Sequence, residues 1–155
     1  MSYTALQIAD YFLNQMNVNN GDSITPLKLQ KLVYYAQAWH YTLFDNPLFD
    51  EKIEAWAHGP VVKSLWLKFQ HITRNSVIDI ENYQFDLPNF SDNTRQILDE
   101  VNQIYGEHSG SYLEQLTHSE KPWQIARGNL PEYAMGNTEI TLASIKDFYQ
   151  QKLNG

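Results

Sequence analysis

Residues 25–44 constrain the fold more than any other stretch, because they join a strong helix start to apolar residues at helical spacing. Thr25 can accept hydrogen bonds from the first free N–H groups of a helix, and Pro26 suits the first helical position. One apolar face is formed by residues at three- and four-residue steps: Leu29, Leu32, Val33, Ala36, His40 and Leu43. The pattern predicts a long helix over Pro26–Phe44, buried at the centre of a small domain.

Shorter helical patterns flank this central segment. Residues 4–16 begin with a capping box formed by Thr4 and Gln7. Further helices are predicted over residues 60–69, where Pro60 would occupy the first turn, and over 91–105, 111–117, 121–127 and 142–153. Alternation predicts a short extended or β segment at residues 53–57, and residues 77–80 match a second brief strand. The chain is therefore predicted to be a mainly α protein, a single compact domain over residues 1–155 with about six helices.

The charge balance bears on the classes of partner. The formal net charge is -7, whereas a nonspecific nucleic-acid binder needs a positive footprint. Nucleic acid is therefore not an expected partner. Residues 79–107 are strongly acidic, and this segment is interpreted either as a solvated face or as a recruitment surface.

The chain contains no cysteine, which excludes disulfides, thiolate zinc sites and cysteine nucleophiles. This composition fits a reducing compartment. The first residues lack the basic and apolar regions of a signal peptide, and no stretch has the length of apolar residues that a membrane span needs. We expect a cytoplasmic protein with no membrane partner.

The five histidines have no paired spacing typical of metal ligands, and no thiolates accompany them. His40 lies on the apolar face of the central helix and is expected to be a hydrogen-bonded core residue. There is no nucleophile elbow and no glycine-rich phosphate loop. We therefore expect no catalytic residues, no metal, no cofactor and no enzymatic activity.

Two clusters outside the central helix combine chain-breaking residues with tryptophan. The first contains Trp56, His58, Gly59 and Pro60, and the second contains His118, Trp123 and Arg127. Each has a functional interpretation, as a shaped surface for a protein partner, because Trp and Arg are frequent in interface hot spots. Each also has a structural interpretation: a tight corner for the first cluster, and a helix start with a buried indole for the second.

Three motifs in order resemble the signatures of the Panacea-domain family, also called SocA-like or GepA-like. The first is TPLKLQKL at residues 25–32 with YYAQ at 34–37. The second is PLFDE at 47–51, IEAW at 53–56 and HGPVV at 58–62. The third is LTH at 116–118, PW at 122–123 and AR at 126–127. The resemblance covers nearly the whole chain.

The resemblance implies a protein of bacteria or their phages that acts in a toxin–antitoxin pair. It implies an antitoxin that neutralises a partner toxin, encoded beside it, by direct protein binding. The expected partner-binding residues are Trp56, His58, Gly59, Pro60, His118, Trp123 and Arg127. One alternative is a proteolysis adaptor that delivers the toxin to an ATP-dependent protease, and another is a helical DNA-binding transcriptional regulator.

Overall fold

A computed structural model describes residues 2–155 of the chain. The described part contains the α-helices α1 Ala5–Asn14, α2 Pro26–Phe44, α3 Lys63–Phe69, α4 Asp92–Tyr105, α5 Gly110–His118, α6 Lys121–Arg127 and α7 Leu142–Asn154. It also contains the strands β1 Ile53–Trp56, β2 Gly59–Val62 and β3 Glu139–Ile140. The predicted mainly α fold is confirmed, with seven α-helices in the described part where about six were expected.

Helix α2 lies at the centre of the fold, as predicted. The Thr25 hydroxyl accepts a hydrogen bond from the backbone N–H of Lys28 at 3.2 Å, which caps the helix start. The helix ends at Asp45, whose backbone is left-handed with a φ of 54°. Helices α1, α4, α5 and α7 and strand β2 all contact α2, which explains why most of its residues are buried.

The three strands form a small antiparallel sheet in the order β2-β1-β3. Strand β1 confirms the extended segment predicted at residues 53–57. The prediction that Pro60 begins a helix is wrong, because Pro60 lies in β2 opposite Ala55 and α3 begins at Lys63. A proline is tolerated there because β2 is an edge strand.

Residues 77–80 form no strand, which corrects the second β prediction. The segment runs beside residue 24, and the backbone N–H of Ile78 donates to the carbonyl of Ile24 at 2.9 Å. Ile78 is buried by this contact, so the apolar pattern reflects burial of a single side chain rather than a strand.

Two glutamines on α2 satisfy the outer backbone groups of neighbouring extended segments. The Gln30 amide donates to the Val62 carbonyl at 3.1 Å and accepts from the Val62 N–H at 2.9 Å. Seven residues later, Gln37 makes the same pair of bonds, donating to Phe49 O at 2.8 Å and accepting from Leu48 N–H at 2.7 Å. Residues seven positions apart lie on one helix face. Through these side chains, α2 forms hydrogen bonds with backbone groups that a neighbouring strand would otherwise satisfy.

We expect Leu32→Ala to lower the free energy of unfolding by about 2–5 kcal/mol, because it removes fully buried methyl groups and leaves a cavity. Urea unfolding measures this change. Leu43→Ala is the matched control on the same helix: Leu43 was expected on the buried face but is 44% exposed, so its loss is about 0.5 kcal/mol or less. Equal effects of the two substitutions would contradict the central position of α2.

Candidate functional site

The structure brings the two sequence clusters into contact. The indole N–H of Trp123 on α6 donates to the backbone carbonyl of Trp56 at 2.8 Å. One guanidinium nitrogen of Arg127 donates to the carbonyl of Ala55 at 3.3 Å. The end of α5 also reaches this region, where Thr117 lies beneath Gly59. The β1–β2 hairpin therefore rests on α5 and α6.

Gly59 is required by the close approach of Lys31. Its φ is +111°, a conformation that side chains other than hydrogen rarely allow. A Cβ atom at this position would lie 2.6 Å from Lys31 Cε and 3.0 Å from Thr117 Oγ1. The Lys31 amine donates to the carbonyl of Pro60 at 3.2 Å. Gly59 and Pro60 are thus buried over a lysine and do not present a free surface.

The buried amine of Lys31 has unusual electrostatics. Burial lowers the pKa of Lys31 to about 7, and the nearby Glu114 carboxylate opposes this shift. Glu114 Oε2 lies 3.4 Å from His58 Nδ1, at the partly exposed rim of the same region. Burial also lowers the pKa of His118, whose ring stacks on Trp123 at a centroid distance of 4.0 Å. The titratable side chains of this region are thus His58 and Glu114 near the surface, and His118 and Lys31 further inside.

Arg127 is buried and bonded to backbone carbonyls. Besides Ala55, its guanidinium donates to the carbonyls of Pro131 and Ala134, each at 2.8 Å, and of Glu132 at 3.3 Å. These bonds hold residues 128–138, which we call the Arg127 loop, against β1. The contacts give Arg127 a structural role, and its assignment to partner binding stays a prediction.

A buried carboxylate fixes the start of α6. The Glu120 Oε1 atom accepts hydrogen bonds from the hydroxyls of Tyr35 at 2.9 Å and Tyr149 at 2.8 Å. Burial raises the pKa of Glu120, and the two tyrosine hydrogen bonds act in the opposite direction. Because Tyr35 lies on α2 and Tyr149 on α7, this network joins α6 to the core, and Trp123 follows one turn later.

The exposed part of the region is an apolar groove beside the hairpin. The groove has a volume of about 110 Å³, and its lining includes Leu27, Trp56, His58, Leu65, Trp66 and Phe69. Trp56 and Trp66 meet edge to face with their ring centroids 5.5 Å apart. Trp66 is 42% exposed, so this groove, which we call the Trp66 groove, offers aromatic surface to a partner.

Four contributors were not predicted from the sequence: Lys31, Glu114, Thr117 and Trp66. On a helix the neighbours of Lys31 three and four residues away are Leu27, Lys28, Tyr34 and Tyr35. These are mostly apolar, but a lysine stem can pack on such residues and still carry its amine to water, so the sequence does not indicate that Lys31 is buried. No local pattern indicates that Trp66 is exposed.

Other predictions can be compared with the described residues. His40 is a hydrogen-bonded core residue as expected, with Nδ1 2.7 Å from the carbonyl of Asn46 and Nε2 3.3 Å from the hydroxyl of Thr94. Among residues 2–155, no three His, Asp or Glu side chains are grouped to hold a metal ion. Within the same range, no helix combines the length and apolar character needed to traverse a bilayer.

Comparison with known proteins gives one family. The family model described as "Antitoxin SocA-like, Panacea domain" matches residues 29–124. The matched region is more than half of the chain and contains most of α2, the hairpin, most of the lining of the Trp66 groove and Trp123. No curated protein and no solved structure matches the chain.

We expect the stability of the protein to depend on the protonation of Lys31. The folded-state pKa is about 7, and an unfolded lysine has a pKa of about 10.4. Between these values the unfolded chain binds a proton that the folded chain does not. Lys31 therefore makes the free energy of unfolding rise with pH, by at most about 1.4 kcal/mol per pH unit.

The measurement is urea unfolding of the wild type and of Lys31→Met at pH 6, 7, 8 and 9. The stability of the wild type relative to the variant should increase above pH 7 and change little below it. Parallel pH profiles for the two proteins would show that Lys31 stays charged in the folded state.

Proposed function

Because the chain belongs to the family of SocA-like antitoxins with a Panacea domain, we propose that it neutralises a partner toxin by direct protein–protein binding. In this proposal the chain carries out no reaction of its own. The observation that supports it most is the Trp66 groove, an open apolar surface next to the residues that carry the family resemblance. Such a groove accepts one apolar side chain of a partner, which is how interface hot spots are commonly built.

Rigid support makes this groove suited to binding. The hairpin is bonded to α2 through Gln30 and to α6 through Trp123. Lys31 and Gly59 are in close contact beneath its turn. A surface that is already ordered loses little conformational entropy when a partner binds. The buried members of the two clusters thus support the groove, and Trp56, His58 and Trp66 line or border it.

The proposal differs from the two alternatives in ways that can be measured. An adaptor removes toxin only when an ATP-dependent protease is present, whereas direct binding inhibits the toxin in a mixture of the two purified proteins. A DNA-binding regulator must overcome the net charge of -7 to approach phosphates. Inhibition with purified components therefore separates the proposed mechanism from both.

We expect Trp66→Ala to weaken toxin binding by at least about 30-fold, which corresponds to about 2 kcal/mol for a hot-spot residue. His58→Ala, at the rim of the groove, should weaken binding less. The partner is the toxin encoded beside the gene, and calorimetric titration measures the affinity. Co-expression tests whether protection of cells is lost in parallel.

Leu43→Ala is the matched control, because Leu43 is 44% exposed and Trp66 is 42% exposed. Leu43 lies at the C-terminal end of α2, whereas the Trp66 groove lies at its N-terminal end. Arg127→Ala is not a useful test, since loss of its carbonyl contacts would disturb folding. Wild-type affinity of a folded Trp66→Ala protein would place the toxin contact outside the groove.

A further inference from the structure

The Arg127 loop exposes large apolar side chains although its backbone is held firmly. Tyr133 is 85% exposed and Met135 is 96% exposed, the highest values among the exposed large apolar residues of the described chain. Exposed loops are usually mobile. Here, however, three loop carbonyls accept hydrogen bonds from the buried guanidinium of Arg127. The loop backbone is therefore fixed, and its apolar side chains point to solvent.

The loop leads into the small sheet at a place where two acidic side chains face each other across neighbouring strands. Glu54 on β1 lies directly opposite Glu139 on β3. Like charges in directly opposite positions destabilise a sheet. The Glu54 carboxylate accepts a hydrogen bond from the Trp56 indole at 2.8 Å, but within residues 2–155 neither carboxylate forms an ion pair with a basic side chain. A cation supplied from outside would relieve this repulsion.

The apolar and acidic groups lie close together in the chain. Met135 precedes Glu139 by four residues, so their Cα atoms are at most about 14 Å apart. Glu132 adds a third carboxylate on the loop itself; its side chain is 62% exposed, and its Oε1 atom lies 4.0 Å from Nδ1 of His118. The combination of exposed apolar side chains with acidic neighbours resembles the anatomy of an interface for a basic partner.

We propose that the Arg127 loop and the facing pair Glu54 and Glu139 dock a segment of the partner toxin in which Lys or Arg side chains flank apolar ones. The inference rests on the proposed function, since it takes the toxin as the occupant. Charge argues against a second copy of this chain, because two copies would each bring a net charge of -7. Nucleic acid is disfavoured by the same acidic groups.

Two variants separate the apolar and the charged contributions. The double variant Tyr133→Ser and Met135→Ser should weaken toxin binding about tenfold or more, since it removes the exposed apolar contacts. The double variant Glu132→Gln and Glu139→Gln should slow association several-fold at low salt. It should have little effect in about 0.5 M salt, because exposed charges are largely screened at that concentration. Titration calorimetry and stopped-flow association measure the two effects.

Each variant has a matched control. Val18→Ser with Ile104→Ser removes two exposed apolar side chains elsewhere, and Glu81→Gln with Asp147→Asn removes the same amount of charge elsewhere. Both controls should bind as the wild type does, and all variants should melt within a few degrees of it. Little change in the melting temperature is expected because every side chain that is changed in the four variants is exposed.

The outcomes separate this inference from the proposal on which it rests. If the wild type binds the toxin and both loop variants bind it equally well, the docking surface is wrong and the proposed function stands. If the wild type does not bind the toxin, both the docking surface and the proposed function are wrong. If sedimentation shows that the wild type self-associates and the loop variants do not, the surface joins two copies of the chain and the inference is overturned.

Discussion

The fold depends on how α2 satisfies the unpaired backbone groups of the segments that cross it. An edge strand with free N–H and C=O groups is a liability, and burying those groups without partners is unfavourable. Gln30 and Gln37 meet this need with paired amide bonds, and Lys31 adds a bond to Pro60. A helix that is apolar at these positions would leave these backbone groups without side-chain partners.

The same arrangement explains why a lysine is buried at the centre of the protein. Its amine reaches the carbonyl of Pro60, which has no other partner on the open edge of β2, and Gly59 leaves room for the aliphatic chain. Burial lowers the pKa of Lys31 to about 7, so the amine loses its proton near neutral pH. The neutral amine is less unfavourable to bury than a charged one. The group that supports the hairpin is thus one whose charge is expected to change near neutral pH.

The sequence predicts those parts whose signals are local. The bounds of α2 follow from Thr25 and Pro26 at its start and from the polar residues after Phe44, and the capping box of α1 is present as predicted. Strand β2 was missed because Pro60 matches a helix start, whereas residues 59–62 pair with the adjacent strand β1 across a tight turn. The contacts of Arg127 were missed because its partners are backbone carbonyls, which carry no sequence signature.

The extent of the family match bears on how one fold could serve different partners. The match covers residues 29–124, so it includes Trp56, His58 and Trp66 of the Trp66 groove and excludes both Arg127 and the Arg127 loop. Arg127 binds main-chain carbonyls, and these are present whatever side chains the loop carries. The loop can therefore change Tyr133 or Met135 without losing its support. A loop held through its backbone in this way keeps its position when its exposed side chains change, which suits a surface used for recognition.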